Sequence, residues 1–123
     1  MSGDRLLLDT NIVIYLLSGD KTLADILHKK IIYLSFISQL ELLRYTDLSG
    51  REINKVREFI GQSTVIDINH EIKENVIALS KGQKLKLPDC IILATALYLD
   101  VPVLSSDKNL LRMNGVNVLY YQQ

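Results

Sequence analysis

Four acidic residues stand at places where a carboxylate faces apolar sequence. Asp9 closes the run Leu6-Leu7-Leu8, and Glu41 lies inside an apolar helical pattern. Asp89 precedes Cys90-Ile91-Ile92-Leu93-Ala94-Thr95-Ala96, and Asp107 follows Val101-Pro102-Val103-Leu104-Ser105. Each alone has an ordinary explanation. An Asp between a strand and a helix caps the helix, an acid in a first helical turn answers the helix dipole, and a lone helical Glu is solvated. Together they raise a different question, because carboxylates gathered in one cleft repel each other. At a separation of ~4 Å the repulsion is roughly 4 kcal/mol for an effective dielectric of 20. Protons or a cation must relieve it. A donor set made of oxygen alone selects a hard divalent ion, magnesium or manganese, over zinc.

The elements that must carry these acids follow from the apolar pattern. Residues 6–8 form a short unalternated run that suits a strand buried on both faces, and Thr10-Asn11 open a helix directly behind it. Ser18-Gly19-Asp20 is a turn, 22–30 a short helix and 31–35 strand two. A helix is expected from Ser38 to about Tyr45, and a charged amphipathic helix over 51–60 with Gly61 as its stop. Strand three covers 63–68. Asn69 then caps a helix to about Lys81 whose core positions are Ile72, Val76, Ile77 and Leu79. Leu87-Pro88-Asp89 open a helix apolar nearly all round, which must be buried and which ends at Asp100. Strand four covers 101–105, a loop or single helical turn 106–112, and strand five 116–120. Alternating strands and helices predict a three-layer α/β/α sandwich around a mainly parallel five-stranded sheet, in one domain over residues 1–123. Strand carboxyl ends are where ligands bind in such sheets, and Asp9 and Asp107 both follow strands.

Composition narrows the class. The 123 residues carry 14 basic and 14 acidic side chains, so bulk attraction to nucleic acid is absent, although a local basic rim is compatible with this balance. Lys84 and Lys86 lie just before Asp89 and are candidates for such phosphate contacts. One cysteine excludes an internal disulfide framework and a cysteine-based zinc site, and Cys90 on its apolar helix reads as an inert buried thiol. His28 and His70 lack paired ligand spacing. No apolar run approaches the ~20 residues of a membrane span, and residues 1–5 do not read as a secretory signal. A cytoplasmic protein without membrane attachment is expected.

Four segments in order carry a family resemblance: Leu6-Leu7-Leu8-Asp9-Thr10-Asn11, Ser38-Gln39-Leu40-Glu41, Lys86-Leu87-Pro88-Asp89-Cys90-Ile91-Ile92-Leu93-Ala94-Thr95-Ala96 and Leu104-Ser105-Ser106-Asp107. Over the whole chain the sequence resembles a PIN domain, most of all the small VapC-type toxins of toxin–antitoxin pairs. The resemblance implies a magnesium- or manganese-dependent endoribonuclease leaving 5′-phosphate and 3′-hydroxyl ends. It makes Asp9, Glu41, Asp89 and Asp107 the catalytic and metal-binding acids, with Asn11 and Ser105 in support. It implies an RNA substrate, a cognate antitoxin and a homodimer. Ser105 stands where the family commonly has threonine, keeping the hydroxyl, and Leu110 stands where an aromatic is common.

Other readings keep part of the pattern. A PIN fold retained for binding without catalysis would keep the acids and bind metal. A receiver-like phospho-signalling domain would use Asp9 with Asp67, leaving Glu41 and Asp89 unexplained. A phosphatase with Asp9 as nucleophile would want a second Asp where Asn11 stands. The tyrosines 33, 45, 98, 120 and 121 fit packing better than base stacking. Leu40, Leu43, Tyr45 and the helix over 51–60 are the expected partner or dimer surface.

Overall fold

Arg5–Leu8 form β1, the strand around which the computed structural model is built. Its three leucines are at most 4% exposed, and burying a leucine contributes roughly 1.5–3 kcal/mol. They do not all point the same way. Leu6 and Leu8 enter one core and Leu7 the other, as the two-residue strand period requires. The continuous apolar run is therefore the sum of two alternating faces, each covered by helices.

The structure describes residues 4–44, 49–82, 84–113 and 115–123. After β1 the order is α1 (Thr10–Leu17), α2 (Lys21–Leu27), β2 (Ile31–Ser35), α3 (Phe36–Leu43), α4 (Gly50–Gln62) and β3 (Thr64–Ile66). There follow α5 (His70–Ser80), α6 (Leu87–Leu99), β4 (Val103–Ser105), a 3-10 helix at Lys108–Arg112 and β5 (Val118–Tyr120). The sheet order is β3-β2-β1-β4-β5, and every pairing is parallel. Leu7 pairs with Tyr33 on one side and Val103 on the other.

On one face, Ile12 and Val13 of α1, Leu23 and Leu27 of α2, Leu42 of α3 and Val56 of α4 cover Leu6, Leu8, Leu34 and Leu104. On the other, Ile92, Leu93 and Ala96 of α6 cover Leu7 and Val103, with Leu110 and Met113 closing the edge. The α5 helix lies along α6, and Asn75 Nδ2 donates to the Ala94 carbonyl at 3.2 Å. The three-layer α/β/α sandwich expected from the sequence is the fold observed.

Several boundaries differ from expectation, each for a local reason. The α3 helix starts two residues before Ser38 because the Ser35 hydroxyl takes the Ile37 amide and caps it; the expected end at Tyr45 lies outside the described residues. Gly61 does not stop α4, which runs through it to Gln62 and is closed by Ser63, whose hydroxyl donates to the Phe59 carbonyl. The α2 helix ends at Leu27 rather than Lys30, where His28 leaves helical geometry at ψ 130° and Lys29 follows at φ 64°. Ile77 is not a core residue of α5, being 52% exposed. Strands three, four and five are each shorter than expected, and β4 begins after Pro102, which has no N–H to give a ladder.

Candidate active site

Asp9 leaves β1 with extended backbone angles and is the N-cap of α1. Its Oδ1 accepts the Thr10 amide at 2.8 Å, and its Oδ2 accepts the Ser105 hydroxyl at 2.7 Å. The capping role and the clustered-acid role thus fall on one carboxylate. Ser105 ends β4, the neighbouring strand, and is fully buried. Its Oγ also accepts the Asp107 amide at 3.0 Å, so one hydroxyl fixes both the Asp9 carboxylate and the backbone that carries Asp107. Asp107 in turn caps the 3-10 helix, its Oδ1 taking the Asn109 amide at 2.9 Å.

Glu41 comes from α3. Its Oε1 accepts the Thr10 hydroxyl at 2.6 Å, a short bond of the charge-assisted kind. Asp89 lies in the first turn of α6, whose start is set by Pro88 and not by a side-chain cap. Among the described residues its carboxylate has no hydrogen-bond donor.

These four acids line a single cleft of about 170 Å³ together with Thr10, Asn11 and Ile92. No lining residue is a Lys or Arg. The electrostatic result is visible in two members. Burial pushes the Asp9 carboxyl above its ordinary value, against the lowering pull of the Ser105 hydroxyl and Thr10 amide, and the charges of Asp107 and Glu41 add to the rise. Burial also raises Asp89, with Asp9, Asp107 and Glu41 adding to it and Lys86 opposing.

The donors fit a hard cation in kind: carboxylate oxygens, mutual repulsion and no counter-charge within the cleft. They do not form a ready cage, since no three His, Cys, Asp or Glu among the described residues stand close enough together to hold an ion as they are placed. Glu41, Asp89 and Asp107 are partly exposed, so their side chains have room to turn inward.

The remaining sequence candidates separate cleanly. Asn11 is exposed and lines the cleft, while Ser105 supports it from beneath. Lys84 and Lys86 are exposed on the approach to α6 and do not line the cleft, though Lys86 is close enough to favour the Asp89 carboxylate. Asp67 is exposed after β3, an edge strand separated from β1 by β2. A receiver pairing with Asp9 would need it near the centre of the sheet. Cys90 is buried, and His70 is a surface partner of Glu74 at 3.7 Å. Tyr33 takes the Arg5 guanidinium, Tyr120 lies under Lys108 and Tyr121 binds Asp20; none of these three lines the cleft. Tyr45 lies outside the described residues.

Two residues of the site escaped the sequence reading, Thr10 and Ser38. Thr10 Oγ1 lies 2.9 Å from Ser38 Oγ as well as bonding Glu41. A signal was available. Thr10 adjoins Asp9, and Ser38 precedes Glu41 by three residues, which places both on one helix face.

The comparisons with known proteins bear on the fold and the family. A comparison with curated sequences finds no match. A chain from a toxin–antitoxin complex of Klebsiella pneumoniae is 31% identical, with TM-score 0.78 over 90% of this chain and 94% of that one. VapBC2 from Rickettsia felis, bound to a DNA fragment from its promoter, gives TM-score 0.85 at 17% identity over 96% of this chain and 99% of its own. VapBC-1 from nontypeable Haemophilus influenzae gives TM-score 0.80 at 22% identity, covering 94% and 97%. The PIN domain family model matches residues 6–116, a span that takes in all four acids of the cleft. With that match over most of its length and a parallel sheet that brings Asp9, Glu41, Asp89 and Asp107 to one cleft, the chain belongs to the PIN domain family.

Proposed function

We propose that this protein is a magnesium- or manganese-dependent endoribonuclease, the toxin of a VapBC-type toxin–antitoxin pair. The observation that carries the reading is the cleft itself: four carboxylates from separate parts of the chain, two of them with raised pKa, and no cation among the lining side chains. Asp9, Asp89 and Glu41 would hold the ion, with Asp107 in an outer position. A bound divalent ion supplies neutralisation of phosphate charge and acidification of a water molecule. The chain's own contribution is orientation. The Ser105 hydroxyl and Thr10 amide hold both oxygens of Asp9, and the same hydroxyl fixes the approach of Asp107. Asn11 is placed at the rim for a polar contact with substrate, and Lys84 and Lys86 lie outside the cleft where they can meet backbone phosphates. The net reaction adds water across a phosphodiester bond, leaving a 5′-phosphate and a 3′-hydroxyl.

The partner in this reading is an antitoxin that occupies an apolar groove with an amphipathic helix. A groove of about 360 Å³ between α1, α3 and α4, lined by Ile14, Leu17, Leu42 and Val56 with Glu52 and Lys55 at its edge, supports it. Glu52, Lys55 and Val56 belong to the helix over 51–60 that was the expected partner surface, whereas Leu40, also expected there, does not line the groove and is exposed. The functional form is a homodimer in the cytoplasm. Among the described residues no helix is long and apolar enough to cross a membrane.

The test is RNA cleavage by the purified chain with magnesium or manganese, with chelator, and with Asp89→Asn. Ion-dependent cleavage lost in the variant is expected. Equal cleavage by parent and folded variant overturns the assignment of the acids. Ion binding without cleavage of any RNA favours a PIN fold kept for binding alone.

A further inference from the structure

We infer that Thr10 is a positioning residue for the acidic cleft: its hydroxyl, braced by Ser38, holds Glu41 in place to bind a divalent ion alongside Asp9. The inference rests on reading the cleft as a divalent-ion site. Thr10 is 8% exposed and Ser38 fully buried. A buried hydroxyl is costly unless it is bonded, so its partner reveals what holds it there. Neither is needed as a cap, because Asp9 caps α1 and Ser35 caps α3. Other hydroxyls along the helices give their protons to the carbonyl four residues back, as Ser80 does to Val76 and Thr95 to Ile91. Thr10 and Ser38 sit in the first turns of α1 and α3, where no such carbonyl exists within the helix. Their oxygens meet each other at 2.9 Å, and Thr10 Oγ1 reaches Glu41 Oε1 at 2.6 Å.

The outcome is a three-member chain joining α1 to α3 at the residue beside Asp9. It commits Oε1 of Glu41 and leaves Oε2 without a hydrogen-bond partner among the described residues. Glu41 therefore offers one oxygen to an ion from a side chain already held in place. Hydrogen-bonded partners of ligating carboxylates commonly alter metal affinity when removed.

The experiment is calorimetric titration with manganese alone on the parent, Thr10→Val, Thr10→Ser, Ser38→Ala and Asp89→Asn, with melting in chelator as the fold control. Thr10→Val should weaken manganese binding by about tenfold or more, Thr10→Ser should retain the parental affinity, and Ser38→Ala should show a smaller loss. RNA cleavage by Thr10→Val should return to the parental rate at saturating manganese. Parental affinity in Thr10→Val, or Thr10→Ser as weak as Thr10→Val, overturns the inference. If Thr10→Val does not fold, Ser38→Ala decides, and unchanged affinity there overturns it. Loss of binding in Asp89→Asn with Thr10→Val unaffected leaves the ion site standing and removes the role of Thr10. A parent that binds no manganese, or an Asp89→Asn variant that binds like the parent, overturns both.

Discussion

Asp9 and Asp20 do the same local job within one stretch of chain. Each is extended, each is the N-cap of a helix, and each accepts a backbone amide from that helix. Their surroundings differ. Asp20 lies at the surface among donors: the Leu23 amide, the Tyr121 hydroxyl at 2.9 and 2.8 Å from its two oxygens, and Gln123 Nε2 at 3.3 Å. Its pKa is lowered, chiefly by the Leu23 amide and then the Tyr121 hydroxyl. Asp9 is buried, faces Glu41, Asp89 and Asp107, and is raised. A structural carboxylate is one whose charge the fold satisfies. A carboxylate whose charge the fold opposes, in a cleft open to solvent, sits in the setting where functional acids concentrate.

The largest effect expected is the contrast between Asp9→Asn and Asp20→Asn. The first should lower RNA cleavage by roughly a hundredfold or more, as several kcal/mol of transition-state stabilisation implies. The second should leave cleavage unchanged. Equal activity in both would erase the distinction between the two caps. Next is Ser105→Ala, which strips a buried donor from Asp9 and should cost about 1–3 kcal/mol in urea unfolding, as well as slowing cleavage. An unchanged unfolding midpoint would show that the 2.7 Å bond contributes nothing.

A smaller effect separates the pairs thermally. Millimolar magnesium or manganese should raise the melting temperature of the parent by mass action and raise that of Asp89→Asn much less. A pH scan in chelator then tests the sign at each site. Asp89 has a folded pKa above its ordinary 3.8, so the native state holds the extra proton and stability falls as pH rises from that value through the folded pKa. Asp89→Asn should therefore gain on the parent with rising pH. The reverse holds at Asp20, whose contribution is present above 3.8 and is lost as pH falls through its lowered folded value. The smallest effect follows from this: Tyr121→Phe should lower the melting temperature slightly near neutrality, and the difference should shrink in acid.

What the sequence disclosed was what pattern alone specifies. The leucines of β1, the run Ile31–Ser35 and the stretch Leu87–Leu99 each state their element through composition, and the structure returns those two ranges as β2 and α6. Asp9, Glu41, Asp89 and Asp107, singled out by their setting and by the family resemblance, all line one cleft. What pattern could not specify was competition between alternatives of similar strength. Ser35 and Ser38 both qualify as a cap for α3; Ser35 takes the Ile37 amide, and Ser38 is instead buried against Thr10. Gly61 has the composition of a helix stop, but Ser63 supplies the bond that closes α4. Lys84 and Lys86 are near Asp89 in sequence yet outside the cleft, since the turn into α6 carries Asp89 inward and leaves them outside.

The bond between Ser105 and Asp9 joins residues 96 apart in the chain. Closing so wide a loop carries an entropic cost that contacts near in sequence escape, and parallel strands postpone their pairing for the same reason. A growing chain at the ribosome, adding roughly 5–20 residues each second, therefore exposes Asp9 within its first segments and cannot orient it until β4 emerges. Any fragment ending before Ser105 holds Asp9 without the hydroxyl that fixes its second oxygen. The acidic cleft is by this arrangement left incomplete for most of the chain's own synthesis.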